Sequence, residues 1–478
     1  MTTKREAYPV LARDHKALPD QPTIVLSEID QVIPGNHTTP CMVYPFPSNT
    51  LTKEQLIGHL STGLENLLTN VPLVGSVLHE TTEGGICALR QNHKPIHLDV
   101  HHLDIDSSLP SYQYLEEHNF DPGFFNDKGD LLTPEDINVA GFRRDEGCPV
   151  ALFQVNFLRG GIILALSFHH MCGDAKSIDN IYVYWAASTK AALEGKPLPV
   201  WKPSLGRTYF NAAYTPDAAE TEQLKKNIRG FTYHPISKDD PGKLINPPER
   251  PPTSNKIYRI SAASCAKLKE MCKPTETGKF VSSYDCVSAL TWRCVTRSRI
   301  PFLDIDVEKT ESSFSHAVDV RGKWAGQISP DYVGNGFLVT LSDSIPLKEL
   351  IESQNLARIA ETIRHCTTLI NENSIPDLVK VRQGIEGKEE MRWIWHPQNV
   401  VGTSWTGMRA YAEYDFGFGL PMTIRLPLPA FEGVFGVMPA TRIDGKVDGL
   451  EVYVVQENSC HDRLAADQEY RKFADLLG

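Results

Sequence analysis

Two apolar runs set back to back, VALFQVNFL at 150–158 and GIILALSF at 161–168, constrain the fold of this chain more than any other feature. Arg159, Gly160 and Gly161 join them, and glycine there supplies the positive φ of a tight turn, so the pair predicts a β-hairpin. The second run is almost wholly apolar. A strand of that pattern is buried on both faces, in the interior of a layered structure.

Helical periodicity appears on either side of the hairpin. In LTKEQLIGHLSTGLENLLT (51–69), leucines at 51, 56, 60, 64, 67 and 68 make one apolar face. Thr52 followed by Gln55 supplies a capping box and Pro72 a stop. From Asp174 to Leu193, the positions Ile178, Ile181, Trp185 and Ala192 return to helical spacing, and Gly195 with Pro197 closes the helix. Between Pro199 and Asn255 proline accumulates, as in PISKDDPGK and NPPERPP, and periodicity fades, which reads as a linker. KIYRIS (256–261) opens a second alternating region, followed by a helix in SAASCAKLKEMC, short strand-like runs after Thr403 and a closing helix in NSCHDRLAADQEYRKFADLL. A chain of 478 residues exceeds what one hydrophobic core serves. The expected architecture is α/β: two similar-sized domains of mixed β-sheet with flanking helices, 1–200 and 256–478, joined by a crossover linker at 201–255, with a site between them.

Composition narrows the function classes. Apolar residues make up 41% and glycine adds 33 residues, the balance of a globular protein rather than a disordered or fibrous one. Lysine and arginine number 48 against 59 acidic residues, a formal charge of -11 with no block of like charge, so no nucleic-acid partner is expected. No apolar run approaches the roughly 18 residues of a membrane span. The N-terminal stretch shows no signal-peptide pattern, so a cytoplasmic protein without a membrane partner is expected. The 10 cysteines lie singly between Cys41 and Cys460 with no C-x-x-C pair, which reads as reduced thiols. No HExxH or clustered Cys/His pattern marks a metal site.

One polar motif stands at the end of the apolar strand. HHMCGD (169–174) places His170 four residues before Asp174, but HHLDID (101–106) repeats that spacing with His102 and Asp106. Spacing alone does not choose between them. Context does: His102 lies in a polar-apolar alternation that suits solvated histidines, whereas His170 sits where a buried strand stops and a helix starts. That is where an open α/β sheet presents groups to a ligand. Successive strand residues face opposite sides, so only one of His169 and His170 can meet a substrate. A neutral imidazole, with an ordinary pKa of about 6.5, takes a proton from a hydroxyl group at physiological pH, which makes His170 a candidate general base. Asp174 either pairs with a cation to fix the loop or caps the helix. Gly173 and Ala175 leave room for a close backbone turn or for a ligand. Cys172 is a weaker, nucleophilic candidate.

A second landmark, Tyr414-Asp415-Phe416-Gly417-Phe418-Gly419, lies far downstream, and together with HHMCGD it resembles the BAHD acyltransferase superfamily, which pairs H-x-x-x-D with a later D-F-G-W-G. Here Phe418 stands at the tryptophan position and Ala175 at the glycine after the motif aspartate, departures that fit the fungal branch with its trichothecene O-acetyltransferases. The resemblance runs along most of the chain. LSEID (26–30) is similar to the family's opening strand, VPLVGSV (71–77) to the segment after its first helix, and VSSYDCVSALTWRCVTRSR (281–299) to the helix near the start of domain two. HAVDVRGKW and YVGNGF resemble its D-x-R and G-N elements, and Thr403-Ser404-Trp405 its T-S-W.

The resemblance implies two domains around a solvent channel with His170 inside it, CoA and acceptor entering from opposite ends, and a segment of the second half completing the first sheet. It implies His170 as the base, direct attack of the acceptor on the thioester, and no covalent acyl-enzyme. It implies Asp174 paired with Arg321 for orientation, Asn335 in support, Trp405 or Thr403 as donor to the oxyanion, and Asp415 with Gly417 as structural elements on the CoA side. No bound cofactor is implied; acyl-CoA, acetyl-CoA above all, is a co-substrate, the partner is a small-molecule acceptor, and the chain is a monomer. The expected activity is acyl transfer to a hydroxyl of a small secondary metabolite, with an amine acceptor or a non-catalytic binding protein of the same fold as alternatives.

Overall fold

The computed structural model describes residues 3–477 apart from 17–22, 48, 82–84, 91–92, 135–146, 237–252, 275, 277–278, 324–327, 353–354, 395, 428–430 and 444. In the first half run strands β1 (Lys4–Val10), β2 (His37–Thr38), β3 (Cys41–Pro45), β4 (Ile96–His102), β5 (Ala151–Leu158) and β6 (Gly161–His169). The second half contributes β7 (Thr253–Ile260), β8 (Phe314–Asp319), β9 (Phe337–Leu341), β10 (Val400–Ser404), β11 (Thr423–Arg425), β12 (Val434–Pro439), β13 (Leu450–Glu457) and β14 (Asp475–Leu476). They form two seven-stranded sheets. The first has the order β1-β4-β5-β6-β3-β11, with β2 pairing on β6; the second has the order β9-β8-β10-β12-β13-β7-β14. Each mixes parallel and antiparallel neighbours, as in the parallel pairs β4–β5 and β10–β12. The α/β, two-sheet expectation therefore holds.

The hairpin is the centre of the first sheet. β5 and β6 pair antiparallel across Gly160, whose φ is 79°. Every residue of β6 is buried, and its two faces feed two different cores. Ile162, Leu164, Leu166 and Phe168 pack with one helix layer, while Ile163 and Ala165 join a second cluster with Leu103, Leu109, Leu115 and Phe120. The period of two along a strand makes this division, and each fully buried leucine or isoleucine is worth about 1.5–3 kcal/mol.

That helix layer is α1 (Lys53–Asn70) against α2 (Ala175–Leu193). Thr52 and Gln55 form the expected capping box at the start of α1. Gly63 sits where the two helices pack tightly: an added Cβ would fall on the Thr189 side chain and 3.1 Å from the Trp185 ring.

The segment 201–255 is more than a connection. Residues 208–211 form a helical turn, α3 (Ala218–Asn227) follows, and Phe231–Pro235 pairs antiparallel with Glu389–Trp393. Proline density marked the loss of periodicity, but Phe210 and Phe231 are buried with Val320, Tyr332, Leu378 and Val379 in a core of their own. The stretch SKDDPGK-LI-NPPERPP lies outside the described residues. Further on, α4 (Ala262–Met271), α5 (Ser283–Leu303), α6 (Leu356–Thr368) and α7 (Ser374–Ile385) cover the second half, and the closing helical pattern breaks into α8 (Asn458–Ala466), a turn and β14. The LSEID segment is not a strand either. Ile24–Val25 is the strand; Ser27 and Asp30 then bond reciprocally, Asp30 N to Ser27 Oγ at 3.1 Å and Ser27 N to Asp30 Oδ2 at 3.0 Å, and turn the chain into a short helical turn. A serine three residues before an aspartate competes with the ladder for backbone partners.

β11 crosses between the halves. It comes from the C-terminal half yet pairs with β3 in the first sheet, and Arg425 reaches Glu451 of β13 at 2.9 Å with both side chains buried.

Candidate active site at the seam between the sheets

β6 ends at His169, and the chain goes into a short helical turn, His170–Cys172, before α2. Alternation sends the two histidines different ways. His169 is fully buried and its ring meets His37 edge-on at 5.1 Å. Burial, with His37 and His170 adding their charge, pushes the His169 pKa down to about 3, so this imidazole is a neutral packing group. His170 is half-buried, with its ring 6.1 Å from that of Phe337. Burial lowers its pKa below 6.5, while a carbonyl contact of its own backbone and the nearby Asp174 charge oppose the shift.

Gly173 is required for closeness rather than for an unusual φ, since its φ of 174° is ordinary extended backbone. A Cβ there would lie 2.7 Å from the Ser177 Cβ and 2.8 Å from the Phe168 ring.

Asp174 does both things its position allowed. Its carboxylate caps α2 by accepting from Ser177 N at 3.0 Å, and it takes a two-pronged bond from Arg321, Nη1 to Oδ2 at 2.8 Å and Nη2 to Oδ1 at 2.9 Å. Gly336 N donates to the same carboxylate at 3.0 Å. Burial works to raise the Asp174 pKa, but the Arg321 charge and these donors outweigh it and hold the carboxyl below its usual range. Its oxygens face the second half of the chain. The D-x-R element folds on itself, with Asp319 accepting from Arg321 N at 3.1 Å. The last residue of HAVDVRGKW, Trp324, lies outside the described residues.

YVGNGF supplies the opposing wall. Gly334 and Gly336 leave space that Tyr332 and the Arg321 guanidinium fill, since a Cβ at Gly336 would sit 2.5 Å from Arg321 Cζ. Asn335, fully buried, donates from Nδ2 to the His170 carbonyl at 2.9 Å and to Asp30 Oδ1 at 2.9 Å. Both acceptors can only accept, which fixes the amide orientation.

Thr403 and Trp405 lie at the end of β10 in the second sheet, whereas Asp415 and Gly417 lie elsewhere. Thr403, at the end of β10, stands beside Gly436 of β12 in the second sheet, and Trp405, 7% exposed, packs into the first sheet's core. Asp415 and Gly417 do not join the group. Asp415 accepts from Gly417 N at 2.8 Å, from Gly419 N at 2.9 Å and from Lys190 Nζ at 2.6 Å, which pins the DFGFG turn to the far end of α2, about 24 Å from Asp174 at the usual helical rise. Gly417, at φ 99°, provides the turn. Cys172 is buried, and burial drives its thiol well above the ordinary range, away from nucleophilic chemistry. His102 and Asp106 form no comparable site: His101 is buried and His102 pairs with Glu6 at 2.9 Å against Phe157, so these histidines are packed rather than solvated.

Four contributors were not identified from the sequence: Asp30, Arg207, Ser177 and Tyr332. The S-x-x-D spacing in LSEID was the one local signal of Asp30; Arg207 lay in the segment read as linker.

A family profile described as Transferase family matches residues 131–461, more than half of the chain. The chain belongs to this family. A second description, trichothecene 3-O-acetyltransferase-like N-terminal domain, matches residues 37–186. This transferase is 23% identical to an acetyltransferase of Gibberella zeae, over 89% of this chain and 85% of that protein. It is 25% identical to the trichothecene 3-O-acetyltransferase TRI101 of Fusarium sporotrichioides, over 92% and 94% of the two chains. The crystal structure of F. graminearum TRI101 complexed with coenzyme A and T-2 mycotoxin shares its fold at a TM-score of 0.73 and 20% identity, covering 96% of this chain and all of that one. The transferase is thus an enzyme of the BAHD-like acyltransferase type.

Proposed function

We propose that this transferase moves an acyl group, acetyl in the first instance, from acyl-CoA to a hydroxyl of a small secondary metabolite, with His170 as general base. The observation that carries this reading is a half-buried imidazole at the seam between the two sheets, beside a carboxylate whose oxygens are already taken by Arg321, Ser177 and Gly336. Asp174 therefore orients the turn and leaves the proton to His170. The acceptor hydroxyl loses its proton to the neutral imidazole and its oxygen attacks the thioester carbon. The tetrahedral oxyanion takes a hydrogen bond from the Trp405 indole or the Thr403 hydroxyl, and a preorganised donor of this kind is worth about 3 kcal/mol of barrier. Collapse breaks the carbon–sulfur bond, and the imidazolium returns its proton to the CoA thiolate.

In this reading residues 1–200 and 256–478 are the two units, 201–255 crosses between them, and the substrates meet in a channel along the seam. Arg321 and Asn335 support the turn, Asp415 and Gly417 shape the CoA side, and the protein acts as a monomer. The relatives named as acetyltransferases, and the solved relative holding coenzyme A with T-2 mycotoxin, support it.

The test is thiol release and product mass from acetyl-CoA with a panel of hydroxylated and amine acceptors, for the native protein and His170→Ala. Loss of turnover in a folded variant is expected. Turnover near the native rate in that variant overturns the role of His170, and products acylated only on nitrogen overturn the choice of acceptor.

A further inference from the structure

Against the backbone of the His170 turn lies a second carboxylate–guanidinium pair. Asp30 is fully buried and Arg207 nearly so, with Arg207 Nε 3.3 Å from Asp30 Oδ2. Asp30 Oδ2 also accepts from Ser27 N at 3.0 Å, and its Oδ1 accepts from Asn335 Nδ2 at 2.9 Å and from Asn335 N at 3.3 Å. The second hydrogen of that same amide goes to the His170 carbonyl. Arg207 for its part donates to the Cys172 carbonyl at 3.3 Å and to the Leu205 carbonyl at 2.6 Å. Its guanidinium carbon stands 5.4 Å from the centre of the Tyr332 ring, and that of Arg321 stands 5.6 Å from it. One aromatic ring thus serves two arginines, each held by its own aspartate.

From this we infer that Asp30 and Arg207 are positioning residues for His170: they fix the backbone of residues 170–172 through Asn335 and Cys172, while the Asp174–Arg321 pair holds the start of the helix that follows. The physical reason is directional. A carbonyl held by a charge-supported amide has little freedom to rotate, and the side chain of the same residue inherits that constraint. Misplacing a reacting group by about 1 Å costs on the order of 100-fold in rate, so the value of a second anchor lies in turnover rather than in substrate binding. The inference rests on His170 being the base.

Two variants separate positioning from folding. Asp30→Leu with Arg207→Met removes both charges at once, so no buried ion is left alone; Asn335→Ala cuts the bridge and leaves the Asp30–Arg207 pair whole. In either, kcat is expected to fall roughly 10- to 100-fold while KM for acyl-CoA stays within about twofold. Asp30→Asn with Arg207→Met keeps an oxygen for the Asn335 amide but gives up the Cys172 contact, and is expected to recover only part of kcat. Alongside kinetics, protein labelled with nitrogen-15 histidine, with His170 assigned through His170→Gln, reports the imidazole without any substrate. The His170 signals are expected to shift or broaden in the first two variants and to move less in the third. Unmoved His170 signals in a folded Asn335→Ala or Asp30→Leu/Arg207→Met protein overturn the inference. Absence of acyl transfer by the native protein would instead remove the reading of His170 as base, a result that the spectra do not depend on.

Discussion

At the scale of single residues, the catalytic proposal depends on a histidine that is neutral when substrate arrives. His170 has a pKa below 6.5 because burial penalises its charged form. The form that accepts a proton is the neutral one, so it predominates at pH 6.5 and is lost only as pH falls through the lowered pKa. A profile of kcat/KM against pH is therefore expected to show its acid limb centred below 6.5, and a limb at or above that value contradicts the assignment. The neighbouring residues show how far a sequence reading reaches at this scale. The His170–Asp174 spacing lies within one contiguous motif and was legible, and the Asp174–Arg321 pairing was implied by the resemblance to the BAHD family. Asp30 was not, because its partners are 177 and 305 residues away in the chain and no local pattern encodes them.

At the scale of elements, the site depends on two close approaches that only glycine allows. One is Gly173, between β6 and α2; the other is Gly63, where α1 meets α2. Alanine at 63 is the better helix former by about 0.5–1 kcal/mol, but its Cβ would collide with Thr189 and force the helices apart, an overpacking cost of about 1–3 kcal/mol. Gly63→Ala is thus expected to lower the thermal midpoint, read by calorimetry, despite its gain in propensity. An unchanged or higher midpoint would mean that the pair closes with room to spare. α2 itself works as a strut. Its N-terminus is capped by the motif aspartate and its last turn holds Asp415 through Lys190, so HHMCGD and DFGFG, the two landmarks of the sequence, meet opposite ends of one helix.

For the whole molecule, the decisive contacts are those that join its halves. Arg425 sits on β11, the strand that the second half lends to the first sheet; it bonds to Glu451 of β13, and to the carbonyls of Asn119 and Phe120 at 2.8 Å each. Both of those residues have positive φ, 53° and 52°, which turns their carbonyls toward the guanidinium. Glu451→Ala leaves a buried arginine without its carboxylate, a loss of about 3–5 kcal/mol. Glu451→Leu combined with Arg425→Met is expected to cost less than the single change. Thermal midpoints of the two variants check this, and a double variant less stable than Glu451→Ala would contradict it.

The sequence by itself determined the local devices: the hairpin through its glycines, α1 through its leucine spacing and capping box, the end of β6 through the run of apolar residues that stops at His169. Each is encoded within a few neighbouring residues, where propensity and periodicity act. The ordered motifs also identified the family. Tertiary structure alone decided the rest. It turned LSEID into an anchor instead of a strand, made 201–236 a packed layer with its own core, and sent DFGFG to the far end of α2 from His170. These outcomes depend on buried charges finding partners and on apolar side chains finding a second surface. Both are pairings across hundreds of residues, which no stretch of sequence specifies alone.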